Sequence, residues 1–157
     1  MLGSFAVGKT SLVRRYVQSM FDEVYQTTIG VKVDKKVLKL DDTELTLMLW
    51  DLYGEDEYQK MKWTYWRGTS GYLLVADGTR RATLEKAIAL EQRVREEIGE
   101  IPFILMINKC DLVQEWDLDP VLEAHFNAKK WTVLHSSAKT GENVEESFLQ
   151  LARKILS

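Results

Sequence analysis

The stretch "GSFAVGKT", residues 3–10, decides how the rest of the chain is read. It fits the spacing G-x-x-x-x-G-K-[ST], in which glycines let backbone amides turn toward an anion, a lysine reaches the β and γ phosphates, and a hydroxyl serves Mg2+. Gly3 and Gly8 fill the glycine positions, Lys9 supplies the cation and Thr10 the hydroxyl, with Ser4, Phe5, Ala6 and Val7 making the turn and Ser11 following it. This suggests a nucleoside triphosphate without choosing its base. Only Met1 and Leu2 stand before Gly3, where such a loop ordinarily leaves a buried strand. The helix that should follow is present, since Leu12, Val13, Tyr16 and Val17 recur at helical spacing in "KTSLVRRYVQSM".

Farther along, "VDKKVLKL" (33–40) and "LTLMLWD" (45–51) read as strands joined by the turn-like "DDTE". Leu45, Leu47 and Leu49 share one face of this hairpin and Met48 and Trp50 the other. The basic cluster Lys35, Lys36 and Lys39 is expected to be a solvated strand face. "GYLLVAD" (71–77) and "FILMINK" (103–109) are nearly continuous apolar runs, as in parallel strands covered on both faces, and "WTVLHSS" (131–137) is a weaker third. Between them, Leu84, Ala87, Ile88 and Ile98 form a helical stripe, and "CDLVQEWDLDP" (110–120) reads as a loop into a short helix. The last helix has Asn143 as its expected cap with Glu146 three residues on, and Val144, Phe148, Leu151 and Ile155 as its buried stripe. Strands alternating with helices predict an α/β fold, a sheet with helices on both faces, in one domain over residues 1–157.

Composition narrows the function. The 157 residues are 45% hydrophobic and 29% charged, with net charge -3, so nothing draws the chain to nucleic acid in general. The single Cys110 excludes an internal disulfide framework and fits a reducing, cytoplasmic setting. No signal peptide is visible, and the terminal "LARKILS" carries no cysteine for prenylation, so no membrane anchor is expected in this chain. His125 and His135 have no ligand partners at useful spacing and read as structural or solvated; Trp66 reads as a core aromatic.

Two further motifs complete a site. In "LMLWDLYGED" (47–56), Asp51 ends a strand, where a carboxylate can hold the Mg2+ shell through water, and the amide of Gly54 can swing toward the γ phosphate. In "NKCD", Asp111 can accept two hydrogen bonds from the N1 and N2 donors of guanine, a pattern adenine does not offer. Asn108 and Lys109 would brace that loop, with the lysine stem along the base. In "SSAK", Ser137 belongs to the same pocket, the Ala138 amide can meet guanine O6, and Lys139 can cover the other face of the base.

With these pieces in order, the chain resembles the Ras superfamily of small GTPases, within it the Rab-like branch, through "GSFAVGKT", "TTIGV", "WDLYGED", "NKCD" and "SSAK". The resemblance implies a P-loop NTPase fold with a six-stranded, mostly parallel sheet and a monomer that binds GTP or GDP with Mg2+. It implies that Thr28 contacts Mg2+ and γ phosphate only in the GTP state, and that segments near Thr28 and from about Leu52 to Arg67 switch with the nucleotide. Effector, exchange and GTPase-activating proteins follow as expected partners. Trp50 and Tyr65 match two of three apolar residues that Rab proteins present to effectors, while Val33 replaces the usual Phe. Glu55 stands where the family has the Gln that orients water, and a carboxylate there cannot both donate and accept as an amide does. Phe5 occupies a loop position usually filled by Gly or Ser, where a ring obstructs an arginine supplied in trans. Hydrolysis is therefore expected at or below the order of 10⁻⁴ per second of unassisted Ras-like proteins. A GTP-locked interaction module, or a fragment that binds nucleotide weakly, are the alternatives. The family's first strand lies centrally, between those around Leu47 and Leu74, and is expected to be truncated here, with the biological protein beginning several residues upstream.

Overall fold

The computed structural model describes residues 1–17, 24–26, 31–52 and 66–157, with the side chains of 24–26, 31, 32 and 52 left aside. Strands β1 (Val24–Gln26), β2 (Val31–Leu40) and β3 (Thr43–Leu52) form an antiparallel sheet in that order. Strands β4 (Tyr72–Asp77), β5 (Phe103–Asn108) and β6 (Val133–His135) form a parallel one. Met1 and Leu2 lie between the two. The Met1 amine donates to the Trp50 carbonyl on β3 at 2.9 Å. Leu2 pairs in parallel with Leu74, its amide donating to the Leu73 carbonyl at 2.8 Å and its carbonyl accepting from Val75 N–H at 2.7 Å. Two residues thus occupy the central position expected for the first strand.

Helices α1 (Lys9–Val17), α2 (Arg81–Ile98), α3 (Pro120–Ala128) and α4 (Val144–Leu156) cover the sheet. The alternation of side chains along each strand divides the core into two layers. Leu73, Val75, Ile104 and Met106 meet Leu12 and Val13 of α1 and Phe148 and Leu151 of α4. Leu74, Ala76, Leu105 and Ile107 meet Leu84, Ala87 and Val94 of α2 and Phe126 of α3. All six residues of β4 are buried, which is why its sequence is continuously apolar up to Asp77. Trp66 joins this second layer, as a core aromatic should.

The hairpin differs on its two faces. Leu49 is buried, whereas Met48 and Trp50 are 49% and 45% exposed, in keeping with the alternation in the sequence. Lys36 departs from expectation. Lys35 and Lys39 are solvated, but Lys36 shares the inward parity of Leu38 and Leu40 and is buried. Its ammonium donates to the Tyr16 carbonyl at 2.6 Å and stands 3.6 Å from the center of the Tyr16 ring, which stacks on Phe148. The helix carbonyl and the face of the Tyr16 ring both stabilize the inward ammonium in place of water.

The last helix also begins differently. Asn143 takes φ +53° and makes no side-chain cap; its amide instead donates to the His135 carbonyl at 2.8 Å, fastening α4 to the end of β6. That competing bond removes the side chain from the capping position.

Candidate nucleotide-binding site

Four segments converge beyond the carboxyl ends of the parallel strands, where open α/β sheets ordinarily form their ligand crevice. Residues 3–10 wrap into a loop that feeds α1. A Cβ on Gly3 would fall 2.2 Å from the Val75 carbonyl, and one on Gly8, at φ +100°, would fall 2.3 Å from the Asn108 amide nitrogen. Close approach of neighboring groups therefore dictates both glycines. Lys9 is buried, and its ammonium donates to the Gly3 and Ser4 carbonyls at 2.7 and 3.0 Å, folding the loop over its own cation. Ser4 and Val7 are buried with it, while Phe5 is 72% exposed and Ala6 adopts φ +58°.

The candidate metal side lies next to Lys9. Thr10 Oγ1 donates to Asp51 Oδ2 at 2.7 Å, so the hydroxyl and the carboxylate expected to share Mg2+ already meet. Asp51 is fully buried, and its Oδ1 has no hydrogen-bond partner among the described residues. A desolvated carboxylate oxygen left open beside a hydroxyl fits a hydrated divalent cation. Thr28, Gly54, Glu55 and Tyr65 lie outside the described residues.

The base side is held by side chains reaching across the sheet. Asn108, at the end of β5, donates from Nδ2 to the Val7 carbonyl at 2.9 Å, and its Oδ1 accepts from the Ala138 amide at 3.3 Å. One buried amide thereby ties the phosphate loop to the "SSAK" segment. Ser137 Oγ donates to Asp111 Oδ1 at 2.7 Å, aiming the carboxylate proposed to read guanine. Lys139 is exposed beside it. Cys110, within this loop, makes a 3.4 Å contact with Glu142, and burial together with that carboxylate pushes its thiol up to about 11. The thiol therefore stays protonated at neutral pH and is a poor nucleophile.

Lys109 has a left-handed backbone, and its ammonium meets Asp77 Oδ2 at 2.7 Å, at the buried end of β4. Burial raises the Asp77 carboxyl, but hydrogen bonds from Lys109, Thr79 and Arg80 outweigh it and hold the group below the usual carboxylate range. Arg80 donates from Nε to Asp77 at 3.1 Å and from Nη2 to the Phe5 carbonyl at 2.8 Å. Trp116 Nε1 donates to the Lys109 carbonyl at 2.9 Å. The sequence motifs did not point to Asp77, Arg80 or Trp116. The "DGT" after β4 does signal an Asx turn, and Asp77 Oδ1 indeed accepts from the Thr79 amide at 2.9 Å. Nothing local foretells the Arg80 contact, because its partner is 75 residues away.

A phosphate loop feeding a helix, a buried Asp beside its Thr, and an Asn-Lys-x-Asp loop at a parallel strand end together define the Ras-like class of P-loop nucleotide-binding folds. The Ras family model matches residues 1–157, and the chain belongs to that family. It is similar to Ras-related protein Rab-7b of Bos taurus, 33% identical over 168 residues that cover 100% of this chain and 80% of the relative. It is likewise similar to GTP-binding protein ypt5 of Schizosaccharomyces pombe, 36% identical over 159 residues, 99% of this chain and 75% of the relative. The human Rab-7b protein is 33% identical over 168 residues, with 100% and 81% covered. Members of this family are small GTPases that bind GTP or GDP with Mg2+ and meet effector, exchange and activating proteins. Among the described residues, no helix is long and apolar enough to cross a membrane.

Proposed function

We propose that this chain is a Rab-like guanine-nucleotide switch that hydrolyzes GTP slowly to GDP and phosphate and engages partner proteins in its GTP state. The observation that carries this reading is the bond from Asn108 to the Val7 carbonyl, which joins the base loop to the phosphate loop while Ser137 holds Asp111 in place. Asp111 would take the guanine N1 and N2 hydrogens, the Ala138 amide would turn from Asn108 Oδ1, which it now meets at 3.3 Å, to O6, and the stems of Lys109 and Lys139 would flank the base. Residues 3–11 would supply backbone amides to the phosphates, with Lys9 moving from its carbonyls onto the β and γ oxygens. Thr10 and Thr28 would hold Mg2+ directly and Asp51 would hold it through water. Mg2+, when bound, neutralizes charge on the β and γ phosphates. The amide of Gly54 would sense the γ phosphate. Effector proteins would meet the exposed Trp50 on the hairpin together with Tyr65; Val33, the expected third residue, is instead buried, 3% exposed and packed into the core beside Trp66.

Nucleotide identity tests this directly. Titration calorimetry with Mg-GDP and Mg-ADP should give tight binding to GDP and none to ADP in the micromolar range; equal affinity would overturn the base assignment. A second reading, a GTP-loaded partner module with negligible turnover, is favored by the exposed Phe5 and by Glu55. Single-turnover hydrolysis of Mg-GTP beside Glu55→Gln separates them. A much faster variant makes Glu55 a brake, whereas equal rates leave the ordinary switch in place.

A further inference from the structure

Two cations grip consecutive carbonyls of the phosphate loop. Lys9 holds Gly3 and Ser4 from within the loop, and Arg80, from the start of α2, holds Phe5. Lysine at this position is the loop's own phosphate ligand. The arginine has no such assigned task. Its side chain is 43% exposed, so it is not buried as a core strut. Of five N–H donors, one at Nε meets Asp77 and one at Nη2 meets Phe5, and the remainder find no acceptor among the described residues. Asp77, fully buried and also held by Lys109 and Thr79, fixes the Nε end of the guanidinium, while Nη2 reaches the phosphate loop at Phe5. Only one peptide separates the carbonyl it touches from the nearest one that Lys9 touches. Phe5 is 72% exposed, so its ring would hinder an arginine arriving from another protein but not one already lodged on its own carbonyl.

We propose that Arg80 is an arginine supplied in cis: a catalytic residue that donates hydrogen bonds to the phosphate oxygens of bound GTP as charge develops on them. This rests on the guanine-nucleotide reading above. In the reaction a water oxygen bonds to the γ phosphorus and the bond to the β-γ bridging oxygen breaks. The electron pair stays on the β phosphate of GDP, and the water proton ends on the departing phosphate. Arg80 exchanges no atoms; its forked N–H groups stabilize the charge that moves toward the bridging and γ oxygens. Such an arginine contributes about 10³ to 10⁵ in rate in related phosphoryl transfers. Glu55 limits a different requirement, the orientation of water, so a well-placed Arg80 and slow turnover are compatible.

The test uses a planar, charged mimic of the transferring phosphoryl group. The chain is loaded with Mg-GDP, aluminum chloride and sodium fluoride are added with no other protein present, and bound fluoroaluminate is followed by 19F NMR, beside Arg80→Lys and Arg80→Ala. We expect the unaltered chain to capture fluoroaluminate and both variants to lose it by at least tenfold, with GDP affinity changed less than threefold. Single-turnover hydrolysis should fall by about a hundredfold or more in Arg80→Ala. GDP binding without capture by the unaltered chain, or capture unchanged by the substitutions, overturns the proposal alone. Loss of GDP affinity in parallel with capture makes Arg80 a strut for the Phe5 turn and also overturns it. No GDP binding at all removes the guanine-nucleotide reading and this inference together.

Discussion

The two halves of the sheet meet the same solvent and treat it in opposite ways. The parallel half, β4 to β6, buries every residue of β4 and ends in Asp77, Asn108 and Ser136, all of them buried polar groups. The hairpin half buries Leu49 and turns Met48 and Trp50 outward. The parallel half carries the loops whose positions must not drift, so its polar ends are fixed by a doubly covered core. The hairpin displays side chains that the fold does not need, which leaves them free to serve a partner.

Truncation in the parallel half should therefore produce the largest effect. Leu74→Ala removes a fully buried side chain between Leu2 and the α2 layer, and should cost about 3 kcal/mol in urea unfolding. A cost below about 1 kcal/mol would dissolve the contrast between the halves. Asp111→Asn should lower GDP affinity about a hundredfold, near 2.7 kcal/mol, while the unfolding midpoint stays put. Calorimetry alongside urea unfolding distinguishes a lost base contact from a lost fold.

Asp77 sharpens the comparison through pH. Its folded pKa lies below the ordinary value of about 3.9, so the carboxylate's contribution is fully present above that value and disappears as pH falls through the lowered one. Asp77→Asn should be less stable than the unaltered chain by about 2 kcal/mol at pH 7, and the two should converge in acid. A gap that stays constant down to pH 2 would show that shape, not charge, is what the site uses. The smallest stability effect belongs to the hairpin: Met48→Ala should shift unfolding by no more than about 0.5 kcal/mol. Trp50→Ala should do the same while weakening capture of a GTP-state partner.

The sequence made the parallel strands and both loops of the candidate site legible because periodicity and motif spacing are local properties. Continuous apolar runs named β4 and β5, and the fixed spacing of Gly3, Gly8, Lys9 and Thr10 named the loop. What escaped depends on distant neighbors. Lys36 looked solvated because the pleat parity that turns it beneath Tyr16 competes with a strong prior for exposed lysine. Asn143 had the residue type and spacing of a cap, but a carbonyl on β6 engaged it first. Arg80 touches Phe5 only after β4 lies beside Leu2, a pairing no window along the chain contains.

Trp116 gives the protein an optical voice. Its indole N–H rests on the carbonyl of Lys109 within the Asn-Lys-x-Asp loop, and its ring makes a T-shaped contact with His135 near the "SSAK" segment. An indole hydrogen-bonded to the base loop will change its emission whenever that loop shifts, with no dye attached. The difference spectrum between the chain and Trp116→Phe would isolate that signal from the other tryptophans, so arrival of a base could be timed by light.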